Sequence, residues 1–378
     1  MGLPGLLLTV LAGRTVPVPL PEPVTSRVRS AKVTESDGER SAFTLVLDAG
    51  RSGPSAAVDS PLLMDSPLSA NARVVLLVTF GAVPLVLMDG IVTTTELTPG
   101  DEPGSATLTV TGEDVSVLLD REERDVEYPA LDDYLQVLAI LAPYAASGIV
   151  PLAVPPPVMD PALPIERVPT QQTTDLRHLV ALAERNGHVA YVIPGPVPGA
   201  STFYWGPPVR VGLPQPALSV DLGAQTNVMS APQFRTDALS PVQVTGEVMD
   251  PRSGETAPVQ ARGSLRPPLA ALPLWATTDV RTRRLRESGA GTATAMGRAQ
   301  AGVEQAADAV IGEGELDGAR YGSILRPRGL VGVRGAGWSH DGLWYVRQVV
   351  HELAPGSYRQ KFVIAREGYG STVPVVVV

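Results

Sequence analysis

Apolar segments of strand length, separated by turn-forming residues, recur along this chain of 378 residues, first and most densely at residues 1–120. Phe43, Leu45 and Leu47 alternate with their neighbours, which is the period-two pattern of a strand with one buried face. Residues 73–80 are almost continuously apolar, and Asp-Gly and Pro-Gly turns separate such segments. Several short strands with regular turns predict a β-sandwich or a β-barrel, with no helix before Asp120.

The apolar run at residues 6–11 also has strand character. A secretory signal needs a positively charged segment before its apolar core, and none precedes this run. Pro4, Gly5 and Gly13 leave it too short to cross a bilayer. We therefore expect a buried strand here, a strand or docked tail at residues 375–378, and no membrane insertion of the chain.

Helical patterns begin after Asp120. Asp132 and Asp133 stand where a helix start favours acidic residues, apolar residues follow at helical spacing, and Pro143 is expected to end or kink the helix. Thr174 is a candidate N-cap of a second helix, which the pair at 186–187, Asn-Gly, should terminate. The proline-rich residues 151–169 predict an extended connector, and residues 188–205 predict a hairpin.

Strands return from about residue 216. Residues 277–311 have helical spacing but several glycines, which predicts a marginal helix or a flexible insert. Three strands are expected to close the chain, at 330–334, 343–353 and 358–366. The predicted class is α+β, mainly β, divided into 1–120, an α/β middle at 121–215, and 216–378 with a short helical insert at about 277–311.

Composition excludes several functional classes. Thirty basic against thirty-nine acidic residues give a net charge of −9, which argues against a nucleic-acid partner or an anionic membrane surface. The absence of cysteine excludes disulfides, thiol nucleophiles and cysteine-ligated zinc. The sequence has only four histidines, which leaves few candidate ligands for a histidine-based metal site.

No motif in the sequence predicts catalytic, cofactor-binding or metal-binding residues. His351-Glu352 begins like a zinc-binding helix, but position 355 is proline and the surrounding pattern is that of a strand. The Gly-Ala-Gly at 289–291 follows no strand and lacks the third glycine of a dinucleotide fingerprint. No Gly-x-Ser-x-Gly elbow is present.

Three charged or aromatic groups have two interpretations each. The acidic residues at 120–127 could act as paired catalytic carboxylates, but interleaved Arg121 and Arg124 favour a solvated, salt-bridged segment. A basic group could hold an acidic partner or form a solvated helix face: Arg281, Arg283, Arg284 and Arg286. A third group is interpreted as core aromatics in preference to a ligand platform: Trp338, Trp344 and Tyr345.

Several ordered stretches together resemble one known family. They are LDREE (119–123), QQTTDL (171–176), LAERNG (182–187), YWGPP (204–208), LG (222–223), TNV (226–228), GLWYV (342–346), VH (350–351) and YRQKF (358–362). This set is similar to the phage late control protein D family, which includes the baseplate hub of contractile tails and the hub portion of type VI secretion spikes.

The resemblance implies a fold, partners and a location. It implies two β-barrel-like domains per subunit and a homotrimer that joins a sixfold tail tube to a threefold spike. Because the chain ends soon after the last hub strand, the spike is expected to be a separate protein. Other baseplate proteins would be further partners, and assembly would take place in the bacterial cytoplasm before the protein becomes part of a phage tail or injection particle.

Two other functions remain open beside a non-enzymatic hub. The alternative is a cell-wall glycan hydrolase associated with a tail, whose only candidate carboxylates are those at 120–127. A monomeric β-sandwich carbohydrate-binding module is the third possibility. For the hub, we expect both β regions to face the tube, with the hairpin at 99–104 and the strands at 343–366 as tube-contacting or barrel-closing elements. The helical middle should lie outside the ring.

Overall fold

The computed structural model describes residues 2–3, 6–50, 62, 66–102, 105–157, 168–249, 254–277, 279–286 and 291–373. Strands predominate over helices, so the expected α+β, mainly β class is confirmed. The strand predicted at 375–378 and residues 158–167 of the predicted connector lie outside the described residues.

The N-terminal part is an antiparallel sheet wrapped around one apolar core. Its strands are β1 (Gly2–Leu3), β2 (Leu6–Gly13), β3 (Val18–Pro19), β4 (Val28–Ser36), β5 (Ala42–Asp48), β6 (Arg73–Phe80), β7 (Val83–Pro99) and β8 (Ala106–Asp114). The main strands lie in the order β2-β6-β7-β8-β5-β4. Phe43, Leu45 and Leu47 are buried on one face of β5, as their alternation predicts.

The prediction of no helix before Asp120 is wrong. A one-turn helix, α1 (Glu22–Thr25), has Pro23 in its first turn, and a 3-10 helix covers Val115–Asp120. The Asp114 side chain accepts a hydrogen bond from Ser116 N at 2.9 Å and so caps the 3-10 helix. Neither helix is long enough to produce a periodic apolar pattern in the sequence.

The middle part packs two helices on a small sheet. Its elements are β9 (Glu123–Glu127), α2 (Asp133–Leu141), a 3-10 helix (Ala142–Ser147), β10 (Ile149–Ala153), β11 (Thr170–Thr174), α3 (Asp175–Arg185), β12 (Val189–Pro194) and β13 (Ser201–Gly206). Asp132 caps α2 and Thr174 caps α3, which confirms both predicted helix starts. Trp205 and Phe203 are fully buried between the sheet and the helices.

The C-terminal part is a second β region. Its strands are β14 (Gln215–Ser219), β15 (Gln233–Thr236), β16 (Val242–Met249), β17 (Thr256–Ala261), β18 (Ala270–Pro273), β19 (Arg281–Arg284), β20 (Val310–Asp317), β21 (Leu330–Arg334), β22 (Gly342–Ala354), β23 (Ser357–Arg366) and β24 (Gly368–Ser371). Its helices are α4 (Thr292–Ala306) and α5 (Gly318–Tyr321), with 3-10 turns at Gly223–Gln225 and Leu274–Ala276.

The predicted helical insert is part of a packed unit and not a marginal helix. α4 lies on the small sheet β17-β16-β19, and Ala295, Ala299 and Val303 share a core with Val244 and Val259. The helical spacing seen over 277–311 belongs to α4 alone. Pairing with residues 242–245 places the segment Arg281–Arg284 in a strand, which a pattern within the segment cannot reveal.

The two β regions are joined edge to edge. β4 pairs antiparallel with β22, with Val33 opposite His351, and this pairing makes a continuous sheet of 14 strands. The described strand pairings close neither region into a barrel, so the expectation of barrel-like domains requires this correction. The reason is that the outer edge of β4 is occupied by β22 and is not available to a strand of its own region.

Candidate assembly site

The outer half of β7 forms an exposed arm. At a bulge between Val92 and Thr94, β7 leaves β6 and continues along β8 up to Pro99. Residues 93–99 are all exposed, whereas Leu108 on the paired strand is buried. One edge of the arm has no strand partner among the described residues, so its N–H and C=O groups are available to another chain. The hairpin predicted at 99–104 is the tip of this arm; residues 103–104 lie outside the described residues.

The second candidate, 343–366, lies inside the sheet. β22 is paired on one side with β4 and on the other with β23, and Trp344, Tyr345 and Phe362 are buried. Trp344 and Tyr345 are therefore core aromatics, as predicted. The prediction of a core aromatic is wrong for Trp338, which is 63 % exposed because it stands in the loop before β22.

A buried polar cluster lies at the junction of β4, β22 and β23. The Arg326 guanidinium donates to both oxygens of Glu35, at 3.1 and 3.2 Å, and to the carbonyl oxygen of Leu87 on β7 at 2.8 Å. His351 Nε2 lies 3.3 Å from Glu35, and His351 Nδ1 lies 2.9 Å from the hydroxyl of Tyr358. The cluster thus links two β regions through side chains as well as through the β4–β22 ladder.

Electrostatics define the charge state of this cluster. Burial alone would raise the pKa of Glu35, but the positive Arg326 and the hydrogen bond from His351 outweigh it and hold the pKa below its usual value. Burial lowers the pKa of His351 despite its bond to Glu35. At neutral pH the pair is a carboxylate beside a neutral imidazole. Both ring nitrogens of His351 have partners, and no metal-binding group of three ligands exists among the described residues.

Arg328 ties the middle part to the same junction. It has a left-handed backbone conformation, with φ of 65°, which is unfavourable for a residue with a Cβ. Its guanidinium lies 3.9 Å from the ring centre of Tyr191 and donates to the carbonyl oxygens of Ser36 and, at 3.2 Å, Val192. These contacts reach β4 and β12 at once, which accounts for the strained backbone being retained.

An ion pair of the N-terminal part, Arg73–Asp89, also contacts the middle part. Arg73 on β6 binds both oxygens of Asp89 at 2.7 and 2.8 Å, and its remaining nitrogen donates to the carbonyl oxygen of Ser147 at 3.2 Å. Ser201 donates to the same Asp89 carboxylate at 3.1 Å. The middle part is thus positioned by directional, charge-assisted bonds.

Among the acidic residues at 120–127, Asp120 and Glu122 are paired with arginines. Asp120 is bound by Arg40 and Thr174; burial raises its pKa, but these two partners and Arg177 hold it below the usual value. Arg124 lies 3.6 Å from Glu122, as expected of a salt-bridged segment. The expectation that Arg121 is also a pairing partner is wrong, because its guanidinium donates to the Asn71 side chain at 3.1 Å.

A cavity of about 900 Å³ lies between the middle part and α4. Its three carboxylates are already bound: Asp132 accepts from Leu135 N at 2.8 Å, Asp133 is bound by Arg185, and Glu304 is bound by Arg266 at 3.0 Å. His188 also lines it and packs edge-on against Trp205, with ring centres 4.5 Å apart.

Sequence reasoning missed the groups that hold the parts together: Glu35, Arg326 and Arg328. The one available signal was at Glu35, which continues the inward alternation of Ala31 and Val33 and is therefore a charge at a core position. The partners of Glu35 lie about 300 residues away in the chain, and their pairing required the fold.

No helix in the described part of the chain is both long and apolar enough to cross a membrane. No family model and no curated protein sequence matches this chain.

Solved structures share this fold over nearly the whole chain. A tail protein from Neisseria meningitidis MC58 superposes with a TM-score of 0.63 at 13 % identity, covering 96 % of this chain and 97 % of that one. The 43 kDa tail protein of prophage MuSo2 from Shewanella oneidensis gives 0.63 at 14 % identity, covering 96 % and 98 %. An E. coli type VI secretion component, described as similar to phage T4 tail proteins, gives 0.53 at 11 % identity, covering 91 % and 76 %. The chain therefore has the fold of phage tail proteins and of a type VI secretion component.

Proposed function

We propose that the chain is a structural baseplate hub of a contractile phage tail or of an extracellular contractile injection system. The observation that supports this most strongly is the shared fold with tail proteins over almost the full length of both chains. The stretches that resemble the late control protein D family point to the hub position within such a tail.

In this proposal three copies form a ring between the sixfold tube and a separate threefold spike. Regions 1–120 and 216–378 are the two domains that face the tube, and the exposed arm of β7 and β8 makes the contact. Its unpaired edge and exposed residues 93–99 suit docking of a partner strand. The middle domain, 121–215, lies outside the ring, where Arg328 and Arg73 fix its position. Other baseplate proteins bind around it, and assembly occurs in the bacterial cytoplasm.

The role is that of a non-enzymatic scaffold. Asp120 at the start of the acidic segment is bound to an arginine, and so are Asp133 and Glu304 in the cavity beside α4. A peptidoglycan zymogram of the purified chain is therefore expected to be blank. A cleared band that disappears in Asp120→Asn would instead support the hydrolase.

The experiment that tests the hub is electron cryo-microscopy of particles from cells that carry or lack the gene. We expect density for three copies between tube and spike, and no mature particles without the gene. Native mass spectrometry of the chain, alone and with the spike protein, should detect trimers. Normal particles without the gene, or density elsewhere in the tail, would contradict the proposal.

A further inference from the structure

Two short edge strands of opposite charge lie in different parts of the molecule. Among the described strands, β9 pairs only with β11, and β19 pairs only with β16. Each strand therefore has one edge without a strand partner in the part of the chain that the structure describes. β9 has five residues and β19 has four, so the two edges have similar lengths.

The open edge of β9 is acidic. Glu123, Asp125 and Glu127 alternate along the strand, and so lie on one face. All three are exposed, and none forms an ion pair with a described residue. Arg124, on the opposite face, is already bound to the buried carboxylate of Asp175 at 3.2 Å. β9 therefore presents three negative charges that no described residue neutralises.

The open edge of β19 is basic. Arg281 and Arg284 are exposed, lie on opposite faces of the strand, and have no ion-pair partner among the described residues. Leu285 N donates to Thr245 O at 2.9 Å, so the N–H group of Arg284, one residue earlier, points toward the open edge. Arg283 lies against Gly302 of α4, where a side-chain Cβ would collide with the guanidinium. The strand is thus held against its own helix while its outer edge stays free.

We propose that β9 of one copy adds to β19 of the next copy and forms the contact between neighbouring subunits. This inference rests on the proposed trimer and names its interface. Two β9 edges repel each other, as do two β19 edges, whereas the acidic face of β9 attracts the β19 arginine that lies on the same face of the joined sheet. Because the paired surfaces differ, the contact is head-to-tail, and such contacts close into a ring when the rotation allows.

Charge reversal with rescue tests this contact. We expect Glu123→Arg/Asp125→Arg, or Arg281→Glu/Arg284→Glu, to weaken self-association at least tenfold in sedimentation at low salt. The chain that carries all four changes should associate again, because each edge then meets its opposite. Wild-type association should also weaken as salt is raised, since exposed charges are screened. The matched control is Glu22→Arg, an exposed charge reversal outside both strands, which should behave as wild type.

A crosslink provides a readout that does not depend on affinity. The chain has no cysteine, so Asp125→Cys/Thr282→Cys introduces the only thiols. A short thiol crosslinker should yield covalent dimers and trimers, whereas Glu22→Cys/Thr282→Cys should not. Trimers that survive both charge reversals, or a wild-type chain that stays monomeric at low salt, would overturn the proposed contact. The hub proposal would then still be decided by the position of the chain in particles.

Discussion

Replacing Glu35 by alanine should loosen the pairing between β4 and β22. Glu35 is 2 % exposed, and its carboxylate neutralises the positive charge of Arg326 and accepts a hydrogen bond from His351. Removing one member of a buried ion pair costs about 3–5 kcal/mol. The Arg326 side chain is 30 % exposed and can regain water, which places the cost near the lower end, at about 3 kcal/mol.

Hydrogen exchange measures this effect where it arises. Since about 1.4 kcal/mol corresponds to a factor of ten, amides of β4 and β22 should exchange on the order of a hundredfold faster in Glu35→Ala. The control is Lys32→Ala, an exposed position on the same strand, where a change within about 0.5 kcal/mol is expected. Equal exchange in Glu35→Ala and Lys32→Ala would refute the reasoning.

The double variant and the pH dependence sharpen the test. Glu35→Ala/Arg326→Ala should lose less than the sum of the single losses, because the two side chains share one interaction. The pKa of Glu35 is lowered in the fold, so its contribution is present above its unfolded pKa of about 4.3 and is lost as pH falls through the folded value. Glu35→Gln, which carries no charge, should lack that acid-induced loss.

Three further outcomes are expected. Burial lowers the pKa of His188 to about 4, so as the pH falls this side chain takes up a proton in the unfolded chain before it does in the folded one. The melting temperature should therefore fall as the pH is lowered from 6.5 to about 4, and His188→Phe should make this dependence on pH weaker. Glu96→Arg on the exposed arm should change the free energy of unfolding by less than about 0.5 kcal/mol but reduce incorporation of the chain into particles. Glu122→Gln and Glu123→Gln should affect particles only through assembly, and loss of lytic activity with assembly unchanged would count against a scaffold.

Local patterns in the sequence were sufficient for the elements of the middle part. Asp132 and Thr174 bind backbone N–H groups within three residues of themselves, so the helix starts they mark are encoded nearby. The same holds for the alternation of β5, whose inward residues are apolar because one face of the strand meets the core. Features that depend on residues so close in the chain can be predicted from a single sequence.

The segment around Arg281 shows where local patterns fail. Its composition suits an exposed helix, yet pairing with β16 makes it a strand, because strand formation depends on a partner edge that lies about 40 residues away. The exposure of Trp338 also depends on the tertiary structure, because the sheet does not cover the turn that carries this residue.

By itself the sequence determined that this is a mainly β protein with a helical middle, without cysteine chemistry, and with an order of segments that resembles a tail hub. Only the tertiary structure decided that β4 takes β22 as its neighbour and that Glu35 receives Arg326 and His351. The physical reason is that alternation and capping are settled within a few residues. The partner of a sheet edge or of a buried charge is chosen among distant segments by the packing of the whole chain.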